Sequence, residues 1–203
     1  MKKNFKYKIV RNAISKDILN FVYEYFLLKR KVFRTCLKTK IIPPHLEHLF
    51  GMCEDEQVPG TDYVMYADIV GETLLKELRS KVQEETNFGR VIENYSFVRI
   101  YKRGNELKKH KDRKACKLSV TLPIGGNSWP IFIDGKQIDL QIGDMLIYNG
   151  SIPHWREKFQ EAECVQIFLH YDTSNHLKEN NLKAYDNRLH IGLPCHTAIG
   201  YKK

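Results

Sequence analysis

Two histidines and one aspartate have the residue types and the spacing of a set of metal ligands. His110 and Asp112 are separated by one residue, and His154 follows about forty residues later. Two imidazoles and one carboxylate on one face of a metal form the ligand set of non-haem Fe(II) sites. Because Fe(II) prefers about six ligands, three protein ligands leave positions open for reactants. The pattern therefore predicts a reaction site rather than a structural metal site.

The sequence around these residues agrees with convergence on one metal. Side chains two positions apart on an extended segment leave the same face, so His110 and Asp112 share a face if their segment is extended. His154 follows a Gly-Asp turn at 143–144 and an apolar run, and it begins a second strand-like segment. A His-x-Asp pair alone is a weak signal in a chain with eight histidines, and the alternative is a solvated loop that binds nothing.

Five segments between residues 95 and 172 carry a resemblance to a known enzyme family. They read SFVRIYKRGNELKKHKDR, KLSVTLPIG, WPIFIDG, GDMLIYNGSIPHWRE and VQIFLHY. In this order they resemble the Fe(II)- and 2-oxoglutarate-dependent oxygenases, and within them the prolyl-4-hydroxylase-like branch. The order is specific: a Tyr, the His-x-Asp pair, a strand, a turn, Gly-Asp and the second His.

The resemblance implies a fold, a cofactor and a reaction. The fold is mostly β with supporting α-helices, in which a double-stranded β-helix (a jelly-roll or cupin-like core) is braced by N-terminal helices. Fe(II) would be bound by His110, Asp112 and His154, with 2-oxoglutarate as cosubstrate, O2 as co-reactant and ascorbate as a candidate reductant. The reaction couples oxidative decarboxylation of 2-oxoglutarate to hydroxylation of an unactivated C–H bond.

The distal carboxylate of 2-oxoglutarate requires a cation. Prolyl hydroxylases usually supply it on the strand after the second His, but the corresponding segment here reads QEAE at residues 160–163, whose acids would repel the cosubstrate. Arg156 and Arg99 are the two candidates, because a guanidinium can bind a carboxylate bidentately. The alternative for Arg156 is a salt bridge with Glu157 or Glu161. The alternative for Arg99 is exposure to water on an edge strand.

Three further side chains are predicted around the cosubstrate. Tyr101 matches the family's cosubstrate-contacting Tyr, and Thr121 and Ser119 are candidates to add hydroxyl donors. His170 shares a strand face with Gln166, and we expect it to hydrogen-bond a neighbour rather than to bind the metal. Trp155 is expected to be a packing residue.

Alternation with a period of two begins near Asn94 and predicts a β-rich core. The predicted strands cover residues 6–10, 95–101, 116–122, 129–133, 137–141, 144–148 and 165–171. Asp134-Gly135 is a favoured turn pair for a hairpin between two of these strands. Many short strands with tight turns indicate a sandwich or barrel.

Two helices are predicted before this core. Ser15 is a candidate N-cap of the first helix. Residues 29–61 are poorly patterned and are expected to be largely loop, and the second helix is expected to begin near Thr61 and Asp62. Its apolar face would contain Tyr66, Ile69, Val70, Leu74, Leu78 and Val82.

The length of 203 residues suits one domain. We expect helical support over about 1–90, the jelly-roll core over about 91–172 and a C-terminal tail over about 173–203. This tail either packs against the barrel or frays.

Composition limits the cellular location and the partners that we expect for the protein. Five scattered cysteines without a Cys-x-x-Cys pair predict reduced thiols and a cytoplasmic location. No apolar run approaches the length of a membrane span, so no membrane association is expected. The formal net charge of +9 suggests anionic partners, although Lys-rich surfaces also increase solubility.

The favoured function is hydroxylation of a prolyl residue in a peptide or protein, with a free amino acid as a further possible substrate. One alternative is oxidative demethylation of nucleic acid, suggested by basic residues near the predicted ligands. Another is a non-catalytic, cupin-like metal-binding module. The basic residues are expected to surround the mouth of the site; they are Lys102, Arg103, Lys108, Lys109, Lys111, Arg113 and Lys114.

Overall fold

The computed structural model describes residues 5–53 and 55–194, and within them two antiparallel β-sheets form the core. The larger sheet has the strand order β1 (Tyr7–Val10), β8 (Met145–Asn149), β5 (Leu118–Gly126), β10 (Glu163–Thr173), β3 (Val91–Lys102) and β2 (Tyr63–Tyr66). The smaller sheet has the order β4 (Leu107–His110), β9 (His154–Arg156), β6 (Ile131–Ile133) and β7 (Lys136–Ile138). This is the predicted mostly β architecture with a jelly-roll core.

Alternation along each strand divides the larger sheet into two faces. On β3, Val98 and Ile100 belong to the main apolar core, whereas Phe97 and Tyr101 pack on the other side in a separate cluster that includes Leu107 of the smaller sheet. Because successive side chains point to opposite faces, one strand can serve the structural core and the space between the sheets at once.

The helices cover the outer face of the larger sheet. They are α1 (Lys16–Thr39), α2 (Ile69–Thr86) and the short α3 (Ser174–Glu179). Phe26 on α1 and Leu75 on α2 are fully buried in the main core with the outward-facing residues of the sheet. No helix among the described residues is long and apolar enough to cross a membrane.

The sequence-based boundaries of the helices need two corrections. Residues 29–61 are not all loop, because α1 continues to Thr39; exposed apolar residues such as Leu28 and Val32 obscure its periodicity. The second helix does not begin near Thr61: β2 comes first, and Asp68 then caps α2 by accepting a hydrogen bond from the Val70 amide. The predicted N-cap of α1 is confirmed, since Ser15 accepts from the Ile18 amide.

The described part of the C-terminal tail packs against the barrel. The Asp186 amide donates to the Asn94 side chain at 2.6 Å, and the buried Arg188 guanidinium donates to Glu72 at 2.9 Å. Residues 195–203, with Cys195, lie outside the described residues. The predicted Asp134-Gly135 turn is confirmed: both residues have positive φ, and they join β6 to β7.

Candidate metal centre

The three predicted metal ligands meet between the sheets. His110 and His154 lie opposite each other in the antiparallel pairing of β4 with β9, and Asp112 follows two residues after His110. Oδ1 of Asp112 is 3.7 Å from Nε2 of His110 and 3.5 Å from Nε2 of His154. The candidate ligand atoms of all three residues lie within 4.8 Å of one another.

Backbone carbonyls orient both imidazoles. Nδ1 of His110 is 2.8 Å from the Lys108 carbonyl oxygen, and Nδ1 of His154 is 2.9 Å from the Ile152 carbonyl oxygen. A carbonyl can only accept, so each Nδ1 carries a proton and each ring directs its Nε2 toward Asp112. Two ring nitrogens and one carboxylate oxygen therefore converge on one point. Such a set suits a cation, which would replace any proton on Nε2, and the donor types suit Fe(II).

Asp112 is held from its other side. Its backbone amide donates to the Gly150 carbonyl at 2.9 Å, and its Oδ2 accepts a hydrogen bond from Ser119 at 2.6 Å. Burial would raise the pKa of Asp112, but the imidazoles of His110 and His154 outweigh burial and hold that pKa well below its usual range. The carboxylate therefore remains charged and fixed.

A cavity of about 360 Å³ opens beside the three ligands. Its walls include Tyr95, Phe97, Phe168 and His170 from the inner face of the larger sheet. A second cavity of about 410 Å³, lined largely by apolar side chains such as Met65, adjoins it, and both are lined by Tyr66 and Phe97. The two cavities therefore share a wall formed by Tyr66 and Phe97.

Arg156 is fully buried on the same face of β9 as His154. Its guanidinium donates to the Trp129 carbonyl and, at 3.2 Å, to the Thr121 hydroxyl, while its Nε has no hydrogen-bond partner among the described residues. The predicted alternative, a salt bridge with Glu157 or Glu161, is wrong. Burial lowers the pKa of Arg156, and the described groups that oppose this effect are Cys164, Tyr101 and Tyr148 rather than a carboxylate.

The Tyr101 hydroxyl lies near this buried charge. Tyr101 is fully buried, and no described residue makes a hydrogen bond of ordinary length and angle to its oxygen, although the Arg99 guanidinium lies close enough to interact with it. Burial raises the pKa of Tyr101, whereas Arg99 and Arg156 both act to lower it. Buried polar groups in proteins are almost always hydrogen-bonded, so two such atoms near one uncompensated cation are an unusual combination.

Arg99 has a different environment from Arg156. It is 7% exposed, its Nε is ion-paired with Asp55, and its Nη2 donates to Gln57 at 2.6 Å. Its guanidinium also lies over the rings of Phe97 and Phe168. The expectation of exposure on an edge strand is therefore wrong, because β3 pairs with β2 and β10 and the loop at 55–58 supplies a counter-ion.

Ser119 lies beside Asp112, whereas Thr121, on the same strand face, lies beside Arg156. His170 makes the predicted kind of contact: its Nδ1 is 3.1 Å from the Ser119 hydroxyl. Trp155 is a packing residue, as expected, because its ring stacks on Phe132.

The basic residues do not surround the cavity as predicted. All seven are exposed, but of these only Lys111 and Arg113 are among the described residues that line it. Arg113 is ion-paired with Asp186 at 3.0 Å, and the Lys109 ammonium lies over the Trp155 ring. β4 has a register irregularity between Leu107 and His110, which both line the cavity, and the two lysines between them are exposed.

Two residues of the cavity were missed by the sequence analysis. The Tyr148 hydroxyl lies 3.4 Å from Nε2 of His154, and the ring is buried in the cluster between the sheets. Its alternation with Ile147 on β8 was the signal that could have identified it. Asp186 also lines the cavity and accepts a hydrogen bond from Tyr66, but it comes from a tail whose sequence has no periodic pattern.

The fold and the ligand geometry together define the class of double-stranded β-helix proteins with a two-histidine, one-carboxylate centre. Among solved structures, the chain is similar to a Pseudomonas putida prolyl-4-hydroxylase, with 14% identity and a TM-score of 0.53, covering 83% of this chain and 92% of that one. It is also similar to the viral collagen prolyl hydroxylase of Paramecium Bursaria Chlorella virus-1 in its 2-oxoglutarate complex, with 9% identity and a TM-score of 0.54, covering 84% and 97%.

A third similar structure is HygX from Streptomyces hygroscopicus with nickel and 2-oxoglutarate bound, with 9% identity and a TM-score of 0.55, covering 83% of each chain. These likenesses confirm the predicted jelly-roll fold, which this chain shares with the two prolyl hydroxylases and with HygX. No protein-family model and no curated protein matches the sequence.

Proposed function

We propose that this protein is an Fe(II)- and 2-oxoglutarate-dependent dioxygenase that hydroxylates an unactivated C–H bond. The observation that carries the proposal is the convergence of three acceptor atoms, from His110, Asp112 and His154, on one point beside a cavity. A metal bound there by three ligands on one face would keep positions open for reactants. The fold shared with structures that contain 2-oxoglutarate supports the same activity.

The protein's own residues would bind, orient and exclude water. Bound iron and 2-oxoglutarate supply the oxidising chemistry, by coupling decarboxylation of the cosubstrate to activation of O2. His110 and His154 provide fixed nitrogen donors, and Asp112 provides the charged oxygen. Phe97 and Phe168 line the adjacent cavity with apolar rings that restrict water at the reacting position.

Arg156 is the better candidate for the anchor of the distal carboxylate of 2-oxoglutarate. Among the described residues it is a buried cation without a carboxylate partner, its Nε lacks an acceptor, and the nearby Tyr101 hydroxyl makes no well-aligned hydrogen bond. A carboxylate between Arg156 and Tyr101 would satisfy both atoms and compensate the charge. Thr121 already contacts Arg156 and would add a hydroxyl donor. Arg99 is compensated by Asp55 and is therefore less available.

A prolyl residue in a peptide or protein is the proposed substrate. Two adjoining cavities that share Tyr66 and Phe97 fit a substrate longer than a single amino acid. The inner cavity is lined by aromatic rings, which provide flat apolar surfaces for a pyrrolidine ring. The similarity in fold to two prolyl hydroxylases points the same way, whereas HygX has also been solved with hygromycin B bound, so fold alone does not select the substrate.

The nucleic-acid alternative draws less support from the site. Lys111 and Arg113 are the lining residues from the predicted basic rim, and Arg113 is already paired with Asp186. A phosphate-tracking surface would give binding that weakens steeply with salt, with a slope of nearly one unit per phosphate contact on duplex DNA. We expect shallow salt dependence, and steep binding of oligonucleotides that is lost in a Lys111→Gln, Arg113→Gln variant would favour the alternative.

Succinate release tests the proposed function. Purified protein with Fe(II), 2-oxoglutarate and O2 should produce succinate, and a mass-spectrometric screen of prolyl peptides and amino acids should find a product heavier by one oxygen atom. A non-catalytic module would bind the metal but release no succinate. Ascorbate should sustain repeated turnover if it is the reductant. A cytoplasmic setting remains the proposal made from the scattered cysteines of the sequence.

A further inference from the structure

His170 stands at the end of a hydrogen-bond chain that begins at a metal ligand. Asp112 Oδ2 accepts from the Ser119 hydroxyl at 2.6 Å, and the same hydroxyl oxygen lies 3.1 Å from Nδ1 of His170. The ring of His170 stacks on Tyr95, with centroids 4.5 Å apart and planes inclined by 27°. The orientation of the imidazole is therefore fixed from two directions.

The number of protons available in this hydrogen-bond chain determines the tautomer of His170. An ionised carboxylate only accepts, so the single proton of the Ser119 hydroxyl is donated to Asp112. The Ser119 oxygen must then act as acceptor toward His170, which places a proton on Nδ1. Burial lowers the pKa of His170 to about 4, with Arg113 and Arg99 acting in the same direction and Asp112 opposing it. A neutral ring with a proton on Nδ1 has an unprotonated Nε2.

The imidazole also forms part of the wall of the inner cavity, together with Phe168 and Tyr95. Nδ1 is engaged with Ser119, and no described residue forms a hydrogen bond with Nε2. Nδ1 of His170 thus supports Asp112 through Ser119. Its Nε2 is available to accept a hydrogen bond from a molecule bound in the cavity.

We propose that His170 is a specificity-determining residue that accepts a hydrogen bond through Nε2 from a backbone N–H of a peptide substrate. This inference rests on the proposed function. Proline has no backbone N–H, so the nearest backbone donor after a reacting prolyl ring is the amide of the following residue. A free proline has a carboxylate in place of that amide and so lacks this backbone donor. The substrate class is therefore an internal prolyl residue followed by a residue with a free amide.

The tautomer can be measured without any turnover. Protein loaded with Zn(II), a diamagnetic stand-in for Fe(II), and with 2-oxoglutarate is examined by long-range ¹H–¹⁵N correlation at neutral pH. His170 should show a protonated Nδ1 and an unprotonated Nε2. Addition of acetyl-Ala-Pro-Ala-amide should shift the Nε2 resonance, whereas the same peptide N-methylated at the amide after proline should not. A protonated Nε2, or equal responses to both peptides, would overturn the inference.

A pair of variants separates recognition from general damage. The side chain of His170→Asn can retain a donor near Ser119 but lacks an acceptor at the position of Nε2, whereas that of His170→Gln can reach this position with its amide oxygen. With the unmethylated peptide, His170→Asn should lower kcat/KM about tenfold or more, and His170→Gln should restore much of it. Substrate-free succinate release by the wild type is measured in parallel as the test of the proposed function. Equal losses of kcat/KM in both variants would contradict the inference. If the wild type released no succinate, the proposed function itself would be wrong.

Discussion

Ser119 donates a hydrogen bond to Oδ2 of Asp112 across 2.6 Å and so leaves Oδ1 as the oxygen that faces both histidines. The carboxylate is thereby oriented to offer one oxygen to a metal. Outer partners of this kind orient ligands and affect affinity by about 10–100-fold. We expect Ser119→Ala to weaken Fe(II) binding within that range, measured anaerobically by titration. Ser151→Ala, at an exposed serine, should have no effect.

Loss of a direct ligand should be more severe than loss of its support. His110→Ala, Asp112→Ala and His154→Ala should each reduce Fe(II) affinity by more than the roughly 100-fold upper range for outer partners, and Asp112→Ala most of all because it removes the anionic donor. Metal titration and far-UV circular dichroism would be measured on each variant. The exposed His45 provides a matched control as His45→Ala. Full metal affinity in His110→Ala would rule out the assigned centre.

Removal of the buried cation should affect cosubstrate binding more than chemistry. Arg156→Met retains much of the side-chain volume but removes the charge, so the 2-oxoglutarate concentration for half-maximal succinate release should rise by about 10–100-fold, as expected for a charged hydrogen bond of about 1.5–3 kcal/mol. Turnover at saturation should fall less. The comparison is Arg99→Met, which removes a partner of Asp55. If the 2-oxoglutarate concentration for half-maximal succinate release rises more in Arg99→Met than in Arg156→Met, Arg99 is the anchor of the distal carboxylate.

Gly150 allows the close approach that fixes Asp112. A Cβ at this position would lie 2.1 Å from the Cys116 carbonyl oxygen and 3.1 Å from Cβ of Asp112. Gly150→Ala should therefore displace backbone, lower the free energy of unfolding by about 1–3 kcal/mol and weaken metal binding. Gly89→Ala is the control, since a Cβ there meets nothing within 4 Å. Denaturant unfolding and metal titration would report the two effects separately.

Asp144 should make stability depend on pH at the acidic end. Burial would raise its pKa, but the amides of Gln141 and Asn12 and the Arg11 guanidinium outweigh burial and lower it. A group whose pKa is lower when folded stabilises the protein above its unfolded pKa of about 3.9, and this stabilisation is lost as pH falls through the folded value. Asp144→Asn should therefore cost about 1.5–3 kcal/mol at pH 7.

The free energies of unfolding of wild type and Asp144→Asn should approach each other below the folded pKa, as urea titrations at several pH values would show. The exposed Asp139, as Asp139→Asn, is the control and should show little difference at any pH. If the difference in free energy of unfolding is as large at low pH, the effect of Asp144→Asn comes from the changed shape of the side chain rather than from its charge.

The strands, and the convergence of the three proposed metal ligands, could be predicted from sequence because their signals are local. Alternation with a period of two identified β3 and β5, and the same alternation brings Thr121 to Arg156 and Ser119 to Asp112. The two-residue step from His154 to Arg156 correctly placed both side chains on one face of β9. In each of these cases the strand geometry alone fixed the direction of the side chain.

The parts that could not be predicted depend on contacts between distant segments. Nothing near Arg99 in sequence reveals that Asp55 compensates its charge, and nothing in the tail reveals that Asp186 reaches the cavity. The beginning of α2 was misplaced because the residues of β2 are apolar and continue the helical pattern of the residues that follow. Tertiary pairing with β3 decided the conformation of that segment.

The central position of β10 has a consequence for synthesis of the protein. β10 is the last strand of the described residues, yet it lies between β5 and β3 in the larger sheet. While the nascent chain is still shorter than residue 173, those two strands have unpaired hydrogen-bonding edges that no other described strand covers. Exposed strand edges are templates for association with other chains. The growing polypeptide is therefore at its greatest risk of aggregation until β10 has left the ribosome. By that point both proposed histidine ligands have already been synthesised.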